Sequence, residues 1–391
     1  MTRPFDKFPW LRGVPFLFCL YLALAIFVTI FAIRVQPGGG SINNFQIFRW
    51  SYFHLIHGLD LYELYPEHQD YYKYSPTFAL LAAPLYLLPN AAALLAWTLL
   101  NTFAPFIAVR RLQVSDKAKA FVLLYICFEL LGSTQNTQSN GLIAGLMIGT
   151  LASFERRQVV LAALLVCLGF YIKVFGAAAG ILFLCYDCKP RFLIACALWG
   201  ILLAALPLPV TGLHGLIDLY QSWLHRMAND PAHDMNISLM TMTQQWFGRA
   251  PRDIVFLAPG FIVLMLPLAR RVVRETPAFR LHFLASLMVW VVIFNHKAES
   301  PTYIIAMAGV ALWALTEPPS YFRTALLCFV FIFTGMSYSD LFPAEVRKNI
   351  IGPYRLKALP CIIAWGVMAW QLLMARQRSL QPGVAISASH T

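Results

Sequence analysis

Long apolar runs constrain this chain more than any other feature. They recur from residue 13 to residue 375, separated by short polar breaks. Runs such as 13–33, 192–210, 254–269 and 324–339 approach or reach the roughly 20 residues that a helix needs to cross a bilayer core. Lipid offers no water to backbone N–H and C=O groups, so runs of this kind predict helices. Composition agrees: 59% of the 391 residues are hydrophobic and 12% charged, against about 45–50% and about 25% in a soluble domain. The expected fold is all-α, a polytopic transmembrane bundle with residues 1–391 forming one integral membrane domain.

The net charge of +12 is distributed unevenly. Basic residues gather in a few breaks: Arg3/Lys7/Arg12, Arg110/Arg111/Lys117/Lys119, Arg156/Arg157, Lys189/Arg191, Arg270/Arg271/Arg274/Arg280, Arg323 and Arg376/Arg378. Lys and Arg collect on the cytoplasmic side of a membrane. Placing these breaks inside makes the intervening runs cross in pairs, which predicts about 12 spans and both termini cytoplasmic. Residues 379–391 then form a flexible cytoplasmic tail. The whole excess of positive charge falls on the inner breaks and calls for no nucleic acid partner. The first run lacks an A-x-A-like cleavage site and reads as a retained signal anchor. The expected location is a cell membrane, of the bacterial inner type.

Residues 76–89 are apolar but too short to cross, which predicts a membrane-surface or re-entrant segment bounded by Pro76 and Pro89. They close a first outer loop, 35–90. In the same loop, residues 44–57 place Gln46, Arg49, His54 and His57 on one side of a helical wheel and most aromatic residues elsewhere, an amphipathic interfacial helix. Asn43 or Asn44 would cap its start and Gly58 its end. The short pairs 119–132/141–154 and 159–172/174–186 predict hairpins in a thinned or cavity-lining region.

Chemistry concentrates on the outer side, where seven of the nine histidines fall. Polar residues at membrane depth are costly and point to function. Glu129 lies inside a span, and Lys173 is the one charge between two apolar runs. These two either pair with each other or serve a substrate. The turn 295–300 packs His296, Lys297 and Glu299 together; it is either a plain polar loop or a site. Cations for a leaving oxygen, with a carboxylate or imidazole for an incoming hydroxyl, are what chemistry with a phosphate leaving group needs. Cys185 and Cys188 make a C-x-x-C with no second pair, and no D-x-D pair stands out in the outer loops. No metal or cofactor is expected.

The outer segments together resemble glycosyltransferase family 87, polyprenol-phosphate-sugar-dependent enzymes of the GT-C fold. The resemblance runs in order through Asn44-Phe45, Gly58-Leu59-Asp60-Leu61-Tyr62, Tyr74-Ser75-Pro76 and Leu87-Leu88-Pro89. It continues through Thr137-Gln138-Ser139-Asn140, Ile172-Lys173-Val174-Phe175 and Asn236-Ile237-Ser238-Leu239, to the turn from His296 to Pro301. It implies transfer of a mannose-like hexose from a polyprenyl-phosphate donor to a lipid or glycan acceptor on the outer face. Lys173, Lys297 and Arg49 are implied to hold phosphate. Asp60, Tyr74, Gln138, Asn140 and Asn236 are implied to bind substrate. The sequence departs from the family where a general base is expected, because Asn44 stands at the acidic position and takes no proton. Glu299 and His296 are then the candidate bases, with Asp60, Glu63 and Asp70 as further carboxylates. Ser75 replaces a family proline and Thr137 a family glycine. A transporter or flippase, or a relative that binds lipid-linked sugar without turnover, are the rival readings.

Overall fold

The structure is a computed structural model that describes residues 7–35, 42–68, 70–229, 236–248, 252–270 and 274–374. The predicted tail 379–391, and His233 with it, lie outside the described residues. Among these residues there is helix and no strand. The helices are α1 (Val14–Val35), α2 (Asn43–Ile56), α3 (Pro76–Leu81), α4 (Ala83–Leu87), α5 (Asn90–Arg111), α6 (Asp116–Gln135), α7 (Asn140–Glu155) and α8 (Val159–Ile172). A 3-10 segment, Val174–Cys185, leads to α9 (Lys189–Ala205), α10 (Leu208–Asn229), α11 (Leu239–Phe247) and α12 (Ile254–Met265). The principal helices that follow are α13 (Pro277–Ile293), α14 (Tyr303–Thr316), α15 (Tyr321–Val330) and α16 (Leu359–Met374).

Two of these helices, α1 and α5, are long and apolar enough to cross a membrane. The bent pair α9 and α10, which meet at 97°, makes a third if it counts as one span. About twelve crossings were expected. The other apolar segments fold as helices of 10–17 residues, which at about 1.5 Å per residue fall short of a core of about 30 Å. The large exposed residues of α1, α9 and α12, such as Phe27, Ile30, Ile194, Leu198, Ile201 and Ile262, form apolar outer faces. A helical membrane protein has such faces because lipid is their solvent.

Inside, α7, α13 and α14 are buried along nearly their whole length. α13 and α14 form a packed hairpin, α14 lies against α6, and α7 is sandwiched between α5 and α8. The contact between α5 and α7 depends on glycines spaced four apart, Gly141, Gly145 and Gly149. A Cβ on Gly145 would stand 2.5 Å from the Ala104 carbonyl carbon, and one on Gly141 would collide with the Asn101 carbonyl oxygen. Small residues at this spacing let two backbones approach.

The segment from residue 42 to residue 89, expected in a first outer loop, is more deeply packed than an interfacial strip would be. In α2 the buried positions are Phe45, Ile47, Phe48, Ser51, His54 and Leu55. Phe48 meets Tyr74, Phe78 and Trp97 at centroid distances of 4.9, 5.3 and 5.0 Å. Large rings gain more from a packed aromatic cluster than from a mobile surface. The N-cap position is Ile42, without a side-chain cap, so neither Asn43 nor Asn44 caps this helix. Gly58 does end it, at φ +67°. Residues 76–89 fold as the two short helices α3 and α4, and Ser75 caps the first by accepting from the Phe78 amide at 3.1 Å.

Candidate active site

Four turns from distant parts of the chain meet at one end of the buried helices. They are the loop before α3, the α6–α7 turn, the α8 C-terminus and the turn before α14. Hydrogen bonds fasten them to one another and to neighbouring elements. Ser75 Oγ donates to the Tyr171 carbonyl at 2.5 Å, Trp97 Nε1 to the Thr137 carbonyl at 2.7 Å, and the Ile237 amide to the Ala298 carbonyl at 2.6 Å.

At this junction Lys173 Nζ donates to Asn140 Oδ1 at 2.7 Å and to Gln138 Oε1 at 3.4 Å. Asn140 Nδ2 donates to the same Gln138 oxygen at 2.6 Å. Gln138 Nε2 donates to Glu299 Oε2. The ring centroids of Tyr74 and Phe175 lie 5.9 and 5.8 Å from the ammonium. Gln138 and Asn140 are buried; Lys173, Glu299 and Tyr74 are half-buried. The result is a chain of cation, two amides and a carboxylate, in which each amide has one orientation that satisfies its neighbours.

The electrostatics follow from this burial. Lys173 sits in the turn between α8 and the 3-10 segment, where desolvation pulls its ammonium down to about 8, opposed by the Glu299 charge. Desolvation, helped by the Glu299 charge, pushes the Tyr74 hydroxyl above its usual range. A cation that is poorly hydrated and held by neutral amides is primed to take an anionic ligand.

The turn before α14 continues into a cavity of about 310 Å³. Glu129, Lys357 and Ser300 stand on its wall with Gln135, Asn136 and Tyr338. Lys357 Nζ bonds both Glu129 oxygens, at 2.8 and 3.1 Å, and Ser300 Oγ at 2.9 Å. Both charged residues are buried. Glu129 therefore pairs with Lys357 and not with Lys173, which corrects one of the two expectations for it. Residues 228 positions apart cannot be matched from sequence when each has several possible partners.

Of the residues singled out from the sequence, Tyr74, Gln138, Asn140, Lys173 and Glu299 come together. Asn236 lies beside them, next to the Ile237–Ala298 bond, and its buried Nδ2 has no protein partner. The others are occupied elsewhere. Asn44 Nδ2 donates to the Asn136 carbonyl at 3.0 Å, so its amide anchors α2. Arg49 donates to the Leu85 and Leu88 carbonyls at 2.8 and 3.3 Å, closing the end of α4 with its guanidinium. Asp60 accepts from the Tyr62 amide at 2.9 Å and shapes a turn. His296 Nδ1 lies 3.1 Å from Asp253 Oδ2, and Lys297 Nζ reaches the Met227 carbonyl at 3.4 Å. His54 is buried and stacks on Tyr65 at 3.7 Å. Lys357 and Ser300 were missed. Lys357 looks like one more basic residue at a span border, and only its burial sets it apart. Among the described residues no group of three His, Cys, Asp or Glu side chains is placed to hold a metal ion.

Fold and cluster together define a class: a helical membrane protein with a lysine–amide–carboxylate site where turns from distant parts of the chain converge. The model of glycosyltransferase family 87 matches residues 72–294, more than half of the 391-residue chain, and the chain belongs to that family. It is a glycosyltransferase. The matched region contains α3 to α13 and the residues Tyr74, Gln138, Asn140 and Lys173. Comparison with curated proteins gives no match.

Proposed function

We propose that this glycosyltransferase moves a mannose-like hexose from a polyprenyl-phosphate donor to a lipid or glycan hydroxyl at the outer membrane surface. The observation that carries the reading is Lys173: a half-buried ammonium fixed by Asn140 and Gln138, with a carboxylate one hydrogen bond further on. Lys173 holds the donor phosphate. Gln138, Asn140 and the unpaired amide of Asn236 bind sugar hydroxyls. Tyr74 packs its ring against the sugar or the first prenyl unit. The acceptor oxygen forms a bond to C1 as the C1–O bond to phosphate breaks. The bonding pair leaves on the phosphate oxygen, and the acceptor proton passes to Glu299.

A donor of this kind carries its reactive carbon at headgroup level, which suits a site built from outer turns rather than from a soluble domain. The apolar tail stays in lipid and needs no protein pocket. The test is transfer from a synthetic polyprenyl-phosphate mannose in nanodiscs. Lys173→Ala and Glu299→Gln each lower kcat/KM by at least about a hundredfold, the range expected for loss of a charge-stabilising group or a proton acceptor. Near-native transfer by both variants sinks the assignment.

A further inference from the structure

The cavity beside the cluster has a chemistry that phosphate binding does not use. We propose that it is the acceptor subsite and that it takes a neutral, polyhydroxylated headgroup. This rests on the functional reading above.

The cavity holds about 310 Å³, within the size range of small-ligand sites. Its one lining cation is Lys357, and all three of that ammonium's hydrogens are committed, two to Glu129 and one to Ser300. None of that ammonium's hydrogens remains for an anion. Glu129 and Asp340 also line the cavity; Lys357 pairs with the first and Arg347 with the second, each at 2.8 Å, so the lining offers a phosphate no unpaired cation. Hydroxyl groups fit. Glu129 keeps lone pairs to accept from them. Ser300 Oγ accepts from Lys357, which leaves its own hydrogen to donate. The Asn136 Nδ2 bonds the Gly132 carbonyl at 2.9 Å, leaving Oδ1 as a further acceptor.

Position supports the same division. Ser300 follows Glu299 directly, and Asn136 lies two residues before Gln138, so two residues of the cavity wall adjoin in sequence the two that make the Gln138–Glu299 bond. A hydroxyl bound against Ser300 would then lie one residue along the chain from the carboxylate that takes its proton. Anion on the Lys173 side and neutral polyol on the Lys357 side would keep donor and acceptor from exchanging places. The ion pair makes this wall rigid: a carboxylate aimed at a neutral ligand must keep its place, and Lys357 fixes it.

The experiment titrates two probes against the full chain in nanodiscs by calorimetry: octyl β-glucoside for the neutral head and farnesyl phosphate for the anionic one. Ser300→Ala weakens the glucoside about tenfold, the loss of one hydrogen bond, and leaves farnesyl phosphate within twofold. Removing one partner of the buried pair leaves an unpaired charge and threatens folding, so the second variant is the doubly neutral Glu129→Gln/Lys357→Met. It weakens the glucoside by more than tenfold with the phosphate unchanged. Lys173→Ala does the reverse. Unchanged glucoside binding in both cavity variants, or a loss confined to farnesyl phosphate, overturns the proposal. If Lys173→Ala leaves farnesyl phosphate binding intact, the phosphate assignment fails instead, and the glucoside data still judge the cavity. Free glucose in place of the glucoside tells a soluble glycan head from one that needs its lipid.

Discussion

Asn44 Nδ2 donates to the Asn136 carbonyl at 3.0 Å, and one residue along in each segment the Phe45 amide donates to Thr137 Oγ1 at 3.1 Å. These two bonds clasp the start of α2 onto the α6–α7 turn, two residues before the Gln138 that meets Lys173. Asn44 is thus a donor at the position where an acid is expected, and its amide does what a carboxylate cannot.

Restoring the acid tests this. Asn44→Asp loses the donor and sets an anion against the Asn136 carbonyl. The variant gains no transfer activity. Its stability falls by about 1 kcal/mol, the usual cost of one lost hydrogen bond, and amide exchange across residues 43–57 accelerates. A rise in kcat after Asn44→Asp would show that position 44 addresses the substrate after all.

Thr137 adopts φ +50°, a left-handed conformation that β-branched residues rarely take. It persists because its hydroxyl accepts from Phe45 and its carbonyl from Trp97. Two variants separate strain from bonding. Thr137→Gly relieves the strain and loses the hydroxyl, so the effects offset to within about 1 kcal/mol. Thr137→Val keeps the strain and loses the bond, which costs about 1–3 kcal/mol because the Phe45 amide is left buried without a partner. Thermal unfolding in detergent should rank them wild type, then Gly, then Val.

Legibility differed sharply between chemistry and packing. The helical class was readable because apolar runs without strand alternation leave the backbone no other way to satisfy its groups. The number of spans was not, since a run of apolar residues does not say whether its helix crosses, bends or stops short, as α9 and α10 do at 97°. Tyr74, Gln138, Asn140, Lys173 and Glu299 were legible as isolated polar residues beside apolar runs and through the family resemblance. Arg49 looked equivalent to Lys173, but two carbonyls at the end of α4 claim its guanidinium, and nothing local in the sequence announces them. The Glu129–Lys357 pair was hidden for the same reason.

The close approach of α5 and α7 gives a packing prediction independent of the site. A methyl group on Gly145 needs room now filled by the Ala104 backbone. Backbone cannot swing aside as a side chain does. Gly145→Ala therefore separates the helices and destabilises by about 1–3 kcal/mol, the usual cost of overpacking. Gly200, with open space around its Cβ position, is the control: Gly200→Ala is neutral or slightly stabilising. Equal unfolding temperatures for the two variants would contradict the packing of α5 on α7.

The depressed Lys173 ammonium predicts how both stability and activity depend on pH. Its ordinary value is 10.5, and burial brings it to about 8 in the folded protein. Between those values the unfolded chain holds a proton that the folded one has released, so this residue makes stability rise with pH from about 8 to about 10.5. Activity runs the other way. Phosphate binding needs the charged form, so kcat/KM falls as pH rises through about 8 while the fold becomes more stable. Lys173→Arg separates the two, because a guanidinium stays charged throughout this range. In that variant the alkaline fall near pH 8 disappears, even if the lower rate reflects poorer geometry between Asn140 and Gln138. A pH–rate profile of donor kcat/KM beside an unfolding series over pH 7–11 gives both readings. An alkaline fall that persists in Lys173→Arg would assign the titration to another group.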